Sequence, residues 1–332
     1  MPEQVRNPGA LVISLDFELF WGMFDVANLD RYRENILGAR AMVPTLLDLF
    51  ERRQIHATWA TVGFLFFESR VQLLQHLPTI QPNYDNAAFS PYRHLETVGD
   101  GEEDDPFHYA PSLIAQLLAC PHQEVATHTF SHYYCLERGQ GVEAFREDLT
   151  AAIRTAEQWN VRLESLVFPR NQFNADYLSI CRELGIRSYR GTEHSWIYQA
   201  RSVQEEHLLR RGLRLTDAYL NLTAHNVYSW ESMAQTVPFN IPSSRFLRPY
   251  SRKLQMLEPL RLRRIKNDLT FAAQHGLIYH LWWHPHNFGS DSDANLGFLR
   301  AILDHQVELR QRYGMLSLSM AETADRLEKI RG

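Results

Sequence analysis

The sequence predicts an α/β fold built on a mostly parallel sheet or barrel. Three observations carry this. The chain opens with a β-α-β-α alternation between residues 11 and 77, the pattern that parallel strands with helical crossovers impose. Its 332 residues, 45% hydrophobic and 22% charged, can supply a large core, and α/β barrels use about 250 residues as one unit. No internal repeat, low-complexity tract or linker divides the chain, so residues 1–332 are expected to form one domain.

Leu11-Val-Ile-Ser-Leu-Asp-Phe-Glu18 is apolar and β-branched, as a buried strand is. Ile36, Leu37, Met42, Val43, Leu46, Leu47 and Phe50 recur at helical spacing and predict a helix over 33–52. His56-Ala-Thr-Trp-Ala-Thr-Val-Gly63 reads as a second strand, followed by a helical stretch to Leu77. Pro78, Pro82, Pro91 and Pro106, with the acidic run Asp100-Gly-Glu-Glu-Asp-Asp105, then break the rhythm and predict a surface insertion over about 78–110. Beyond it the pattern predicts a helix over 111–120, a strand over 124–127, a helix over 142–160, a strand over 163–168 and a helix over 175–184. Residues 190–255 carry no clear period. A helix over 260–275 and an aromatic-rich strand over 277–283 follow. Two C-terminal helices from about residue 296, with a turn and short strand near Gly314, close the chain.

A net charge of −5 leaves no broad basic field for a nucleic-acid backbone, which excludes that partner class. The longest strongly apolar run, Val62 to Phe67, falls far short of the roughly 20 residues of a membrane span. The start Met1-Pro-Glu-Gln-Val-Arg-Asn-Pro-Gly9 has no apolar segment of the secretory type. Three cysteines, Cys120, Cys135 and Cys181, form no C-x-x-C pair and an odd set, so neither a disulfide framework nor a zinc ribbon is expected. A reducing, cytoplasmic setting fits these features.

Four segments carry candidate chemistry. Asp16 and Glu18 lie two apart on the first strand, so both project from one face, about 6–7 Å apart along the chain. Such acids at the end of a buried strand call for a cationic partner. His128-Thr-Phe-Ser-His132 follows the short strand, and its spacing predicts two imidazoles on one side of a helical turn, as bidentate metal ligation requires. Glu18 or Asp16 with His128 and His132 would complete a carboxylate and two-histidine shell of the hydrolytic type. In Tyr279-His-Leu-Trp-Trp-His-Pro-His286, alternation sends His280, Trp282 and His284 to one face, and His284 at the strand's end suits general-acid work. Arg170, in Val167-Phe-Pro-Arg-Asn-Gln172, is placed to pair with a buried carboxylate and keep it ionised.

Taken in this order, the pieces resemble the polysaccharide deacetylases that share the NodB homology domain (carbohydrate esterase family 4). Ser-Leu-Asp16-Phe-Glu18 is similar to that family's first motif, in the D-x-(D/E) form of an intracellular-type subgroup. Glu124-Val-Ala-Thr-His128-Thr-Phe-Ser-His132 resembles its H-(S/T)-x-x-H metal motif, Phe168-Pro-Arg170 its arginine motif, and Leu281-Trp-Trp-His284-Pro its closing histidine motif. The resemblance spans about residues 10–190 and 276–289. Here the arginine follows the proline, and Asn171 and Gln172 stand where the family has a tyrosine. The family's acid that orients the last histidine has no counterpart, and Asp217 and Glu193 are left unassigned.

The resemblance implies a distorted (β/α) barrel, an incomplete relative of the TIM barrel. It implies Asp16 as base, Glu18, His128 and His132 as metal ligands, Arg170 as the base's partner and His284 as acid, with the two acids exchangeable in role. The cofactor implied is one divalent ion, Zn²⁺ by preference, although Co²⁺, Ni²⁺ or Fe²⁺ also suit mixed N/O ligands. The activity implied is hydrolysis of a non-peptide carbon–nitrogen bond, removing an N-acyl group, in the family usually acetyl, from an amino sugar. Its source would be a surface polysaccharide, a lipopolysaccharide or a precursor such as a nucleotide sugar. Trp21, Trp196, Trp282 and Trp283 are candidate sugar-stacking surfaces, Asn171 a candidate substrate contact, and Arg245 and Arg248 candidate grips for a phosphate or carboxylate. Rival readings are an amidohydrolase of the same fold acting on a small non-sugar amide such as a ureide, and an O-acyl esterase. A glycan-binding protein without activity ranks lower, because the ligand set is complete.

Overall fold

The computed structural model describes residues 7–199 and 208–332; part of the N-terminal reading above falls on residues 1–6, outside them. One parallel nine-stranded sheet organises the chain: β1 (Ala10–Phe17), β2 (Ala57–Thr61), β3 (Gln123–Thr127), β4 (Ser165–Val167), β5 (Ser188–Arg190), β6 (Phe239–Asn240), β7 (Arg245–Phe246), β8 (Ile278–Trp283) and β9 (Leu316–Leu318). Their order is β6-β5-β4-β3-β2-β1-β8-β7, with β9 also pairing with β1. The ends of this path, β6 and β7, are neighbours in sequence, so the sheet curls into a barrel left open between them. It is the distorted, incomplete (β/α) barrel expected.

The helices are α1 (Leu29–Arg53), α2 (Arg70–Gln75), α3 (Pro111–Ala119), α4 (Val142–Glu157), α5 (Leu178–Glu183), α6 (Leu208–Tyr219), α7 (Trp230–Met233), α8 (Glu258–His275), α9 (Ser292–Tyr313) and α10 (Met320–Arg331). Local chemistry sets several boundaries. The Asn28 side chain accepts from Asp30 N at 2.8 Å to start α1, and Ser319 and Glu322 form a capping box on α10. Gly276 and Gly314 take left-handed conformations where α8 and α9 stop. β1 is buried along its whole length, which explains its continuous apolar run.

Residues 78–110 differ from a plain solvated loop. Tyr84, Phe89, Leu95, Val98, Phe107 and Tyr109, spaced between the prolines, are buried in the core, and Phe107 O accepts from Phe20 N at 3.2 Å. The acidic run is anchored at Asp105, which accepts from Gly99 N at 2.8 Å and lies 2.7 Å from His108 Nδ1. Among the described residues, no helix is long and apolar enough to cross a membrane.

Candidate active site

Functional side chains gather at the carboxyl ends of the parallel strands, where such barrels place their chemistry. Ser14 and Asp16 share one face of β1, and Arg190 at the end of β5 meets both. Arg190 Nη1 donates to Ser14 Oγ at 2.9 Å and to Asp16 Oδ1 at 2.6 Å. Its Nη2 donates to Asp16 Oδ2 at 2.8 Å and to Asn171 Oδ1 at 2.9 Å. The guanidinium sits 4.1 Å from the ring centre of Trp282, and His280 Nε2 lies 2.8 Å from Ser14 Oγ. Burial pushes the Asp16 carboxyl up, but Arg190, helped by His128 and His284, holds it below the usual carboxylate range.

This corrects the expected pairing of Asp16 with Arg170. Phe168 and Pro169 lead into a turn where Arg170 and Asn171 both have positive φ, 55° and 53°. Arg170 there pairs with Asp25 and lies over the Tyr134 ring, 4.2 Å from its centre. Arg190 was missed. Its signal is present in the sequence: α5 ends before Gly185, and the β-α rhythm then calls for a strand in Ile-Arg-Ser-Tyr-Arg190.

Glu18 follows β1 and is buried. Its Oε2 lies 3.0 Å from His132 Nε2 and 3.2 Å from His128 Nε2. Ligand atoms of these three residues all fall within 4.8 Å of one another. The two histidines do not share a helical turn, as their spacing had suggested. Residues 128–132 form a loop with Thr129 and His132 at φ 65° and 61°, and the imidazole centres come to 5.0 Å. Buried Asp148 on α4 shapes that loop by accepting from Phe130 N at 2.7 Å, Ser131 N at 3.2 Å and the Ser131 hydroxyl.

Whether these residues suit a metal is decided by protons. His128 Nδ1 lies 2.7 Å from Val167 O, and a carbonyl only accepts, so Nδ1 carries the hydrogen. Nε2 is the ring atom turned to Glu18, whose carboxylate oxygen lies 3.2 Å away. Burial pushes Glu18 up, yet His284, His128 and His132 hold it well below the carboxylate range, so it is ionised. Two buried imidazole nitrogens around one carboxylate oxygen are balanced by protons on the rings or by a bound cation, so the cluster has the composition and closeness of a metal shell. The donor set suits a divalent ion with N/O preference.

His284, in the turn after β8, places Nε2 3.6 Å from both Asp16 Oδ2 and Glu18 Oε1. Its Nδ1 lies 3.2 Å from the Asn287 amide nitrogen. Thus Asn287, not Asp217 or Glu193, contacts this ring. An amide can donate to the neutral imidazole or turn its oxygen toward the protonated one. His286 was also missed. It stacks on His284 at 4.9 Å, its Nδ1 is 3.8 Å from Glu18 Oε1, and burial beside His284 pushes its pKa down to about 3. The i, i+2 spacing across Pro285 was its only signal in the sequence.

A cavity of about 300 Å³ opens over these groups, walled in part by Tyr32, Arg170, Asn171, Phe246 and Trp282. Asn171 and Trp282, both expected to contact substrate, line this cavity. Trp21 does not: it is fully buried, donating from Nε1 to His108 O at 2.8 Å, which corrects the expectation that it stacks on sugar. Trp283 is likewise core, and Trp196 is exposed away from this wall. Arg245 is also corrected. It is buried in an ion network with Asp268 at 3.2 Å and Asp217 at 3.7 Å, because strand β7 turns it toward α8. Arg248 lines an adjoining cavity.

Neither a protein-family model nor a curated protein matches the chain. Solved structures do. A candidate polysaccharide deacetylase from Mycobacterium smegmatis is similar with 12% identity and a TM-score of 0.56, covering 98% of this chain and 92% of that one. A second candidate polysaccharide deacetylase, from Pseudomonas aeruginosa PAO1, shows 12% identity and a TM-score of 0.55, over 96% and 90%. PuuE allantoinase shows 13% identity and a TM-score of 0.57, over 99% and 92%. At such identities the likeness establishes the fold, which is the distorted (β/α) barrel of the polysaccharide deacetylases.

Proposed function

We propose that the protein is a metal-dependent hydrolase that removes an N-acyl group from an amino sugar. The observation that carries this is the buried cluster of Glu18, His128 and His132, with ligand atoms within 4.8 Å of one another, beside a second, arginine-held carboxylate. Glu18, His128 and His132 would hold one divalent ion, zinc by preference. When bound, that ion would lower the pKa of a water and polarise the acyl carbonyl. Asp16, kept ionised by Arg190, takes the water's proton. Each Asp16 oxygen spends one lone pair on Arg190 and retains another for this task. His284, on the far side of the two acids, donates a proton to the departing amine, which leaves poorly without one. Trp282 and Phe246, with ring centres 4.7 Å apart, offer apolar faces for a sugar ring. Asn171, whose Oδ1 is held by Arg190, lines the cavity and would contact the acyl oxygen or a hydroxyl through its amide nitrogen.

Bound metal per chain, measured by elemental analysis, tests the first step. His56, His122 and Glu322 form another group of donors at the amino ends of β2 and β3, so His122→Ala serves as a control. About one equivalent in the wild type, retained in His122→Ala and lost in His128→Ala, is expected. Metal that persists in His128→Ala, or none after reconstitution with zinc, overturns the reading. The likeness to an allantoinase fold favours one rival, hydrolysis of a small ureide, and turnover of allantoin with inert N-acyl sugars would establish it.

A further inference from the structure

The catalytic cavity does not end at Trp282. A second cavity of about 230 Å³ shares Arg170, Asn171, Phe246 and Trp282 with it and extends toward Glu193, Arg214 and Arg248. Arg248 differs from the arginines around it in its ion pairing. Arg245 pairs with Asp268, Arg261 with Glu258 and Arg264 with Asp217. Arg170 pairs with Asp25. Arg248, partly buried, has no carboxylate partner among the described residues; the ionisable groups acting on it are the phenols Tyr198 and Tyr219 and the cations Arg214 and Arg261.

A guanidinium kept in a cavity without a counter-ion is costly. Burial, then the neighbouring cations Arg214 and Arg261, push Arg248 below its ordinary pKa. The acid in this cavity does not cancel the charge. Glu193 is buried with a carboxyl pushed up to about 7, so near neutrality it is partly uncharged. A missing anion explains this arrangement, and an arginine fork matches the oxygens of phosphate or carboxylate.

We propose that this second cavity is a subsite for an oxyanion carried by the substrate, gripped by Arg248 while the adjoining acyl group meets Asp16 and His284. The inference rests on the deacetylase reading and narrows its substrate to an N-acyl amino sugar bearing a phosphate or carboxylate. Trp282 would lie between the two ends, under the sugar ring.

The test compares kcat/KM for N-acetylglucosamine, its 1-phosphate and its uronic acid in the wild type, Arg248→Gln and Arg248→Lys. Calorimetry with inorganic phosphate on the same metal-loaded proteins gives a readout independent of turnover. The wild type should prefer an anionic sugar over the neutral one by on the order of 10–100-fold, as a charged hydrogen bond allows. Arg248→Gln should collapse that ratio toward one, and Arg248→Lys should keep part of it. Preference for the 1-phosphate assigns the anion as phosphate, and preference for the uronate assigns it as carboxylate. Neutral sugar cleaved as well as both anionic ones, with no phosphate binding, overturns the subsite and leaves the deacetylase reading intact. Phosphate bound by the wild type and lost in Arg248→Gln, with every N-acyl sugar inert, upholds an oxyanion site and overturns the deacetylase reading.

Discussion

Gly22 offers a sharp perturbation of the proposed metal shell. It closes the turn Leu19–Gly22 just after Glu18, and a Cβ built on it would sit 2.0 Å from Glu18 Cδ and Oε1 and 2.5 Å from Oε2. Ordinary contact begins at 3.4 Å, so the carboxylate would have to retreat by about 1.4 Å. A functional shell tolerates about 0.5 Å of displacement, and about 1 Å of misplacement can cost about 100-fold. Gly22→Ala should therefore weaken metal affinity and kcat/KM by at least about 100-fold, close to 3 kcal/mol. The backbone at Gly22 has no positive φ and the residue is partly exposed, so the fold should tolerate alanine. The assay pairs metal titration with the thermal midpoint of the metal-stripped protein. Affinity and activity within about threefold of wild type would refute the argument that Glu18 is pinned by this contact.

Three further outcomes are expected. Arg190→Met should leave Asp16 buried without its cation, costing about 3–5 kcal/mol of stability and moving the acid limb of the pH–rate profile to higher pH, because burial alone raises that carboxyl. An unmoved limb would show that Asp16 is not the base. His284→Asn should slow cleavage of an N-acetyl amide by about 100-fold or more and that of an activated O-acetyl ester by far less, since only the amine needs a proton to leave. Equal losses on both substrates would remove His284 from the acid role. Asp148 is pushed up to about 6 by burial, against 3.8 when unfolded, so its contribution to stability is whole below pH 3.8 and fades as pH rises through 6. Relative to Asp148→Asn, urea unfolding should find the wild type losing about 3 kcal/mol over that window, and a pH-independent difference would contradict the assignment.

Much of the barrel was legible because β1, β2 and β8 are runs of five to eight residues, almost wholly buried, that carry apolar or aromatic residues. The acids and histidines at their ends inherited that clarity. β5 spans only three residues, and β6 and β7 two each, too few for a period to register, whereas three-residue β4 lies inside the apolar run 163–168 that predicted it. The metal loop was legible in composition but not in conformation. Spacing suggested a helical turn, whereas the positive φ of Thr129 and His132 depends on Asp148, a residue of α4 that no local pattern connects to them.

The exchange of arginines shows why the remaining part was hidden. The demand itself was visible: two acids at the end of a buried strand require a cation. What local sequence cannot specify is which strand provides it, because the candidates are far along the chain and adjacent only across the barrel. Arg190 is 174 residues from Asp16, whereas Arg170 is 145 residues from Asp25. Both carry the same charge, but Arg170 lines the cavity whereas Arg190 is buried behind it. The backbone separates them: Arg170 follows a proline turn with left-handed φ and is turned to Asp25 and Tyr134, whereas Arg190 ends a regular strand and projects inward to Ser14 and Asp16. A rim arginine would compete with substrate for the carboxylate's open side. An arginine reaching it beside Ser14, from deeper in the barrel, keeps Asp16 charged and leaves its cavity-facing lone pairs available, which is the arrangement the proposed role of base requires.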